Sequence, residues 1–465
     1  GGKPIRMVGS QTDITMRKKA EDQLGYDALH DKLTSLPNRA LFIDRLTVLY
    51  QHAKRHTNYK FAVLFIDLDR LKYVNDSLGH IAGDEVLIKI SNKIKSCLRE
   101  SDTLARLGGD EFTALIDGIK NEESVLMVVR RIQAAISEPL NIGGVEITMT
   151  ASIGINVKTE GYSKPEDLLR DADTAMYSAK MKGKARQEVF NTAMHVHAVA
   201  RLNLEIDLRQ AIDKKQFELH YQPIISLADG KVVRMEALIR WNHPQRGMIS
   251  PLDFIPLAEE SDLILKIGEW VIRSACYQSN EWVKKKFPRI PIAINVSARQ
   301  FQYFNLVKQI GTIIKETGAN AFALEIEITE SAAMTNVEQS IKILKEIQNM
   351  GLQISIDDFG IGYSSLGCLK LFPIDLLKID RSFLVNVPQN ADNGAITTSI
   401  IAIAHNLGLK VTAEGVENID QLNFLRKEGC DEAQGYLLCR PAPSSDITEF
   451  IQKHLAGAPI TGFSV

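Results

Sequence analysis

From about residue 203 onward the chain alternates short apolar runs with helical stretches. Strands are expected over 217–225 (FELHYQPII), 232–240, 291–296 (PIAINV), 323–328 (ALEIEI), 352–357, 375–379 (DLLKI), 410–413 and 434–438, with helices in most gaps. Such alternation points to a parallel (β/α) barrel, in which reactive groups gather at the C-terminal ends of the strands. Polar residues stand near many of these ends: Glu236, Asn295, Glu327, Asp357, Asp358, Lys378, Glu414 and Gln434. A lone carboxylate there is usually a satisfied cap. A set of this size reads as a metal site.

The densest stretch is ISIDDFGIGYSSL, residues 354–366. An apolar strand ends on the adjacent acids Asp357 and Asp358, followed by Gly360 and Gly362, which permit φ > 0 and close backbone approach. Neighbouring carboxylates repel and gain little from burial, so a divalent cation with oxygen ligands is expected between them. The alternative at residue level is an Asp-Asp turn that caps the next helix.

A length of 465 residues fits three domains, or two if one is a large barrel. A net charge of −2 gives no basic field for nucleic acid. Cys97, Cys276, Cys368, Cys430 and Cys439 are scattered and form no C-x-x-C pair, which argues against a disulfide framework or zinc and for a cytoplasmic setting. No apolar run approaches the roughly 18 residues of a membrane span, and no signal peptide is seen. The chain opens on Gly1-Gly2 without Met, which leaves open a longer protein with an upstream membrane anchor.

The N-terminal part has its own pattern. Residues 1–14 read as a turn and strand, and 15–30 as a charged helix with Leu24 and Leu29 on one side. In DKLTSLPNR, Pro37 suits the first position of a helix. FAVLFIDLD, residues 61–69, reads as a central strand ending on Asp67 and Asp69. Asn75 and Asp84 flank a glycine-containing bend, and a helix is expected from Asp84 to about Leu98 with Val86, Leu87, Ile90 and Ile94 on its apolar face. In DTLARLGGDEFTALI, Gly108-Gly109 suits a β-hairpin turn that presents Asp110 and Glu111. Taken alone this is an ordinary wet hairpin. Taken with Asp67, it offers carboxylates from two strand ends for a metal, beside glycines against which a nucleotide can lie.

Together RLGGDEF, DKLTSLPNR, FIDLDRLKYVNDSLGHIAGDEVL and DADTAMYSAKMKGK resemble the GGDEF family of diguanylate cyclases over about residues 28–190. The resemblance implies a central antiparallel sheet flanked by helices over 31–190. It implies that Asp67, the Leu68 carbonyl and Asp110 bind one or two Mg²⁺ or Mn²⁺ ions, with Glu111 as a catalytic group beside them. Asn75 and Asp84 would read guanine, Gly108 and Gly109 would lie against the nucleotide, and Lys180 and Lys184 would hold triphosphate. Lys184 departs from the usual arginine and loses its bidentate geometry; Leu71 replaces the usual Phe. Arg99 and Asp102 match the family's product-inhibition site, the other reading being a helix C-terminus whose Arg complements the dipole. Residues 1–30 resemble the C-terminal edge of a PAS domain and its connector helix. Since one domain holds one GTP, synthesis implies a homodimer.

Residues 191–204 read as a linker helix, with Met194, Ala198 and Leu202 at helical spacing and His195 and His197 as solvated side chains. Beyond it, MEALIRW, INVSARQF, EIEITES, ISIDDFGIGYSSL, LLKIDRSF, VTAEGVE and AQGYLLCRP resemble the EAL family of cyclic di-GMP phosphodiesterases. The resemblance implies a (β/α)8 TIM-type barrel over 205–458, with Glu236, Asn295, Glu327, Asp357, Asp358 and Glu414 holding two Mg²⁺ or Mn²⁺ ions. Lys378, Glu414 and Glu236 would act in catalysis, Gln222, Arg240 and Gln434 would contact substrate or nearby water, and Glu330 would brace the glycine loop. Ile361 departs from the common Thr. The expected function is hydrolysis of cyclic di-GMP to linear pGpG, with a GGDEF domain that binds GTP and either regulates hydrolysis or makes cyclic di-GMP. The alternatives are a net diguanylate cyclase and a non-enzymatic cyclic di-GMP receptor.

Overall fold

The computed structural model describes residues 13, 15–56, 58–157, 160–361 and 366–455. The chain forms two compact units, Gly1–Leu202 and Asn203–Val465. Apart from Asp13, the turn and strand expected over 1–14 lie outside the described residues; helix α1 then covers Thr15–Leu29.

In the first unit, helix α2 (Arg39–Arg55) begins after Asn38, whose side chain accepts the N–H groups of Ala40 and Leu41. Pro37 is therefore not the first helical residue, because Asn38 takes the capping position after it. Strand β1 (Ala62–Asp69) is buried along its whole length. It is followed by α3 (Leu71–Leu78) and α4 (His80–Ser96). The latter starts ahead of the expected Asp84, because Gly79 at φ 85 ends α3 and turns the chain straight into it. Strands β2 (Thr103–Gly108) and β3 (Glu111–Ile116) form the hairpin, and α5 (Glu122–Ser137) follows. A small ribbon, β4 (Leu140–Ile142) with β5 (Val145–Ile147), precedes β6 (Thr150–Asn156), α6 (Pro165–Met181) and β7 (Gln187–Val189).

The sheet order is β2-β3-β1-β6-β7. Its central pairs are antiparallel, and β6–β7 is parallel. Alternation along β1 divides the core in two. Leu64, Ile66 and Leu68 join the α4 and α5 side chains, while Val63 and Phe65 join those of α2 and α6. Asp67 and Asp69, by the same period, belong to the α2/α6 face. Helix α6 approaches β6 so closely that a Cβ on Gly154 would stand 1.9 Å from the Ala172 carbonyl oxygen. A glycine there lets the end of α6 reach the end of β1.

Helix α7 (Thr192–Ala211) continues past the expected linker boundary at 204, because Leu204, Leu208 and Ala211 pack into the core of the second unit. That unit contains β8 (Phe217–Ser226), β9 (Val232–His243), β10 (Gly247–Ile249), β11 (Ile292–Val296), β12 (Leu324–Thr329), β13 (Gln353–Phe359), β14 (Leu376–Ile379), β15 (Lys410–Ala413), β16 (Glu432–Ala433) and β17 (Ala442–Pro443). The strands close as β9-β11-β12-β13-β14-β15-β16-β8 and back to β9. The barrel is not wholly parallel: β8 is antiparallel to both β9 and β16. Only residues 227–231 join β8 to β9, too few for a crossover helix, so a hairpin is the available connection. The strand expected over 434–438 is instead the short β16, and Gln434 starts the loop after it.

Candidate active sites

Register places the barrel side chains. Gln222 on β8 is paired with Glu236 on β9, and Asn295 on β11 with Glu327 on β12. Asn295 Nδ2 donates to Glu236 Oε1 at 2.7 Å. Gln434 Nε2 donates to Glu236 Oε2 at 2.6 Å and to Gln222 Oε1 at 2.9 Å, and Gln222 Nε2 donates to the Cys439 carbonyl at 2.9 Å. Gln434 reaches this position because Gly435 packs on Val416, where a Cβ would lie 2.1 Å from the Val416 oxygen. Glu236 is not at a strand end. It lies inside β9, which runs on beyond the barrel to pair with β10.

Lys378 on β14 is fully buried. Its Nζ lies 2.5 Å from Glu414, 2.9 Å from Glu327, 3.8 Å from Glu236 and 3.9 Å from Asp357. Burial alone would lower its pKa, but the surrounding carboxylates outweigh that and hold the ammonium well above its ordinary value. Burial first, and then neighbouring acids, push Glu327 and Glu414 up. The same causes push Asp358 up to about 6, with Asp357 and Asp380 as the repelling acids. One lysine does not offset this many acids.

Two adjacent strand residues ordinarily point to opposite faces. At Asp357 and Asp358 the regular strand is interrupted, because the β13–β14 register breaks between Ile356 and Phe359. Asp358 itself adopts a left-handed conformation at φ 54, and Gly360 follows at φ 99. Sequence reasoning gave the positive φ to glycines alone; a carboxylate residue held there carries strain of about 1–3 kcal/mol. Glu330, buried at the end of β12, accepts the Gly360 N–H at 3.0 Å and so holds this bend. Gly362 lies outside the described residues, while Ile361 is exposed. Arg240 is half-buried and donates one guanidinium N–H to the Ile239 carbonyl at 2.9 Å.

The donor set fits divalent cations. Both Glu327 oxygens are buried; Oε1 lies 2.9 Å from the Lys378 ammonium, and among the described residues Oε2 meets no hydrogen-bond donor and is open to a cation. As the side chains stand, no three acidic, His or Cys groups among the described residues close on one point in the manner of a liganded ion. The Lys378 ammonium occupies the centre of the acids instead.

In the first unit, Asp67 is paired with Glu111 across β1 and β3, and the Leu68 N–H donates to the Asp110 carbonyl at 3.2 Å. Lys180, at the end of α6, puts Nζ 2.7 Å from Asp67 Oδ2. Burial drives the Asp67 pKa up to about 6 against the Lys180 hydrogen bond, with Asp110 and Asp69 adding repulsion. Gly108 and Gly109 form the turn at φ 144 and 53, where an added Cβ would meet no described atom within 4 Å. Arg106 secures that turn by donating to the Gly109 carbonyl while paired with Asp31 at 3.0 Å. The Asn75 side chain lies over Gly83, beside exposed Asp84.

Lys184 stands in the turn after α6 with its backbone at φ 61. Arg99 and Asp102 share one turn: Asp102 accepts the Arg99 N–H at 2.9 Å and the Asp117 N–H at 3.0 Å, and the Arg99 side chain is exposed. A cleft of about 550 Å³ beside Glu111 is also lined by Arg39 and Asp173. Burial, and then Asp173, push Glu111 up, while burial pushes Asp173 up. Sequence reasoning assigned nothing to Arg39, Asp173, Arg106 or Asp31. Their signal was their place inside motifs whose other members it used.

Comparison with known proteins follows this division. A family model described as EAL domain matches residues 205–441, and one described as diguanylate cyclase, GGDEF domain, matches 28–186. The chain is 42% identical over 433 residues to the bifunctional diguanylate cyclase/cyclic di-GMP phosphodiesterase MucR of Pseudomonas aeruginosa, covering 93% of this chain and 63% of that protein. It is 37% identical over 459 residues to the cyclic di-GMP phosphodiesterase PdeR of Escherichia coli K12, covering 98% of this chain and 68% of that protein. The solved structure of the PaMucR phosphodiesterase in complex with c-di-GMP superposes with a TM-score of 0.52 at 44% identity, over 53% of this chain and 99% of that one. The chain thus spans less than two thirds of MucR.

Proposed function

This chain belongs to the EAL domain family, with a GGDEF domain ahead of its barrel, and we propose that it turns over cyclic di-GMP, hydrolysing it to linear pGpG at the barrel site. The observation that carries this reading is the convergence of Glu236, Glu327, Asp357 and Glu414 on buried Lys378, with Glu327 Oε2 meeting no donor among the described residues. The relatives MucR and PdeR, by their names, act on the same nucleotide.

Glu236, Asn295, Glu327, Asp357, Asp358 and Glu414 would hold two Mg²⁺ or Mn²⁺ ions. Such ions, when bound, supply Lewis-acid polarisation of the phosphodiester and a nucleophile available at neutral pH. Lys378 keeps its proton at Nζ and fixes the Glu327 and Glu414 carboxylates. Gln434 and Asn295 each donate to one oxygen of Glu236 and set its plane. Arg240 offers its remaining N–H groups to phosphate oxygens. Glu330 holds the bend that turns Asp357 and Asp358 toward the barrel mouth.

The GGDEF unit, on this reading, binds GTP with Asn75 and Asp84 on guanine, Gly108 and Gly109 along the nucleotide, and Asp67, Leu68 and Asp110 on one or two metal ions, with Lys180 and Lys184 on phosphates. Glu111 stands at the catalytic position, and Arg99 and Asp102 form the inhibitory site. Cyclic di-GMP synthesis needs two such units face to face, hence a homodimer, whereas one barrel carries every group hydrolysis uses. Net output is therefore hydrolysis, with bound GTP shifting its rate through a conformational or dimer equilibrium. The five free thiols suit a cytoplasmic setting. No described helix is long and apolar enough to cross a membrane.

The test is a product assay on the purified chain with Mg²⁺, given cyclic di-GMP, GTP, or both. Release of pGpG that changes when GTP is added supports the reading. Accumulation of cyclic di-GMP from GTP shifts it to a net cyclase, and binding without turnover in any arm shifts it to a receptor.

A further inference from the structure

The turn after α6 carries strain. Gly183, Lys184 and Ala185 stand at φ 110, 61 and 49, three left-handed residues in succession, two of which have a Cβ. Non-glycine residues avoid this region unless their surroundings hold them there. The Gly183 and Lys184 N–H groups close back on α6 through the Lys180 and Ala179 carbonyls at 3.3 and 3.1 Å. The Ala185 N–H donates at 3.1 Å to Oδ2 of Asp69.

Asp69 is the last residue of β1 and is only 5% exposed. The Ser152 hydroxyl donates to its Oδ1, and the Thr150 hydroxyl to its Oδ2, each at 2.8 Å. One buried carboxylate thus accepts from two hydroxyls of β6 and from the strained turn. It lies on the strand that bears Asp67, and the turn it grips bears Lys184. A lysine ammonium is a point charge on a flexible stem, without the preorganised fork of an arginine. Its placement depends on the backbone beneath it.

We propose that Asp69 is a positioning residue that clamps the 183–185 turn so that Lys184 is held for the polyphosphate of GTP. The proposal rests on the reading that this unit binds GTP. A carboxylate suits the position because its charge strengthens all three hydrogen bonds; an asparagine keeps one oxygen for the Ala185 N–H but loses that charge.

The test measures GTP affinity by calorimetry and backbone amide exchange on the full chain for Asp69→Asn, Lys184→Ala, the double variant and Thr150→Val. Asp69→Asn is expected to weaken GTP about tenfold, a charge-assisted hydrogen bond's scale, and to speed exchange at the Ala185 amide. In the Lys184→Ala background Asp69→Asn should cost little more, because the two act on one contact. Thr150→Val removes a hydroxyl donor and leaves the clamp, so it should keep GTP affinity and slow exchange at Ala185. Full additivity of Asp69→Asn and Lys184→Ala, or an equal loss in Thr150→Val, overturns the proposal while leaving GTP binding by the unaltered chain intact. No GTP binding by the unaltered chain overturns the proposal and the reading beneath it together.

Discussion

The two units solve the problem of crowding carboxylates in opposite ways. In the barrel, acids from several strands surround a lysine with no solvent exposure at all. In the sheet, Asp67 meets a partly exposed lysine at the rim, and Asp84 is exposed. A closed barrel brings many strand ends to one point, so its site is assembled within one chain. An open sheet brings one strand end against one hairpin turn, so on the proposed reading a second copy would complete its reaction centre. On that reading the barrel site should be sensitive to loss of any one charge, and the sheet site to loss of its neighbour.

The sharpest way to test that contrast is Glu327→Gln. Cyclic di-GMP hydrolysis should fall at least ~10³-fold, the scale of losing a main charge-stabilising group, as read by pGpG release. A residual rate within tenfold of the unaltered chain would deny the barrel its single-centre character. Chelation comes next: EDTA should stop hydrolysis and added Mg²⁺ should restore it, whereas persistent turnover would remove the metal from the account.

Asp110→Ala addresses the other unit. The ratio of hydrolysis rates with and without GTP should collapse to one, and any synthesis from GTP should vanish. Glu330→Gln is expected to act through the bend at Gly360 and lower kcat about tenfold, about the scale of one charge-assisted hydrogen bond; an unchanged kcat would make that contact incidental.

The smallest effect is on pH. Asp358 is raised from 3.8 to about 6 when folded, so the native state binds its proton more tightly than the unfolded chain does. In metal-free protein its contribution to stability is full below about pH 3.8 and is lost as pH rises through about 6. The melting-temperature advantage of Asp358→Asn over the unaltered chain, measured in EDTA, should accordingly grow from pH 4 to pH 7. A gap that is flat across this range would show that solvent and Lys378 already neutralise the site.

Much of this architecture was legible along the chain. Apolar runs at strand length placed β11 to β15 within a few residues, and both glycine-rich motifs led to the acids they present. What escaped were features that local pattern does not encode. The antiparallel β8 was written in the short 227–231 link, but the barrel expectation overrode it. Glu236 was taken for a strand end because β9's extension past the barrel shows no change in its apolar pattern. The strand expected at 434–438 was misplaced because loop residues after Gln434 are as apolar as a strand when they pack beneath it.

Residue type and order alone determine that two α/β units follow one another, and which carboxylates, amides and lysines each contributes. They do so because burial has a period that strands and helices reveal locally. Tertiary structure decided that Lys378 would stand among four acids, that the strand register would break at Asp357 and Asp358, and that Asp69 would hold a turn. Those outcomes depend on register and closure between segments far apart in sequence, where a shift of one residue reverses the face a side chain meets.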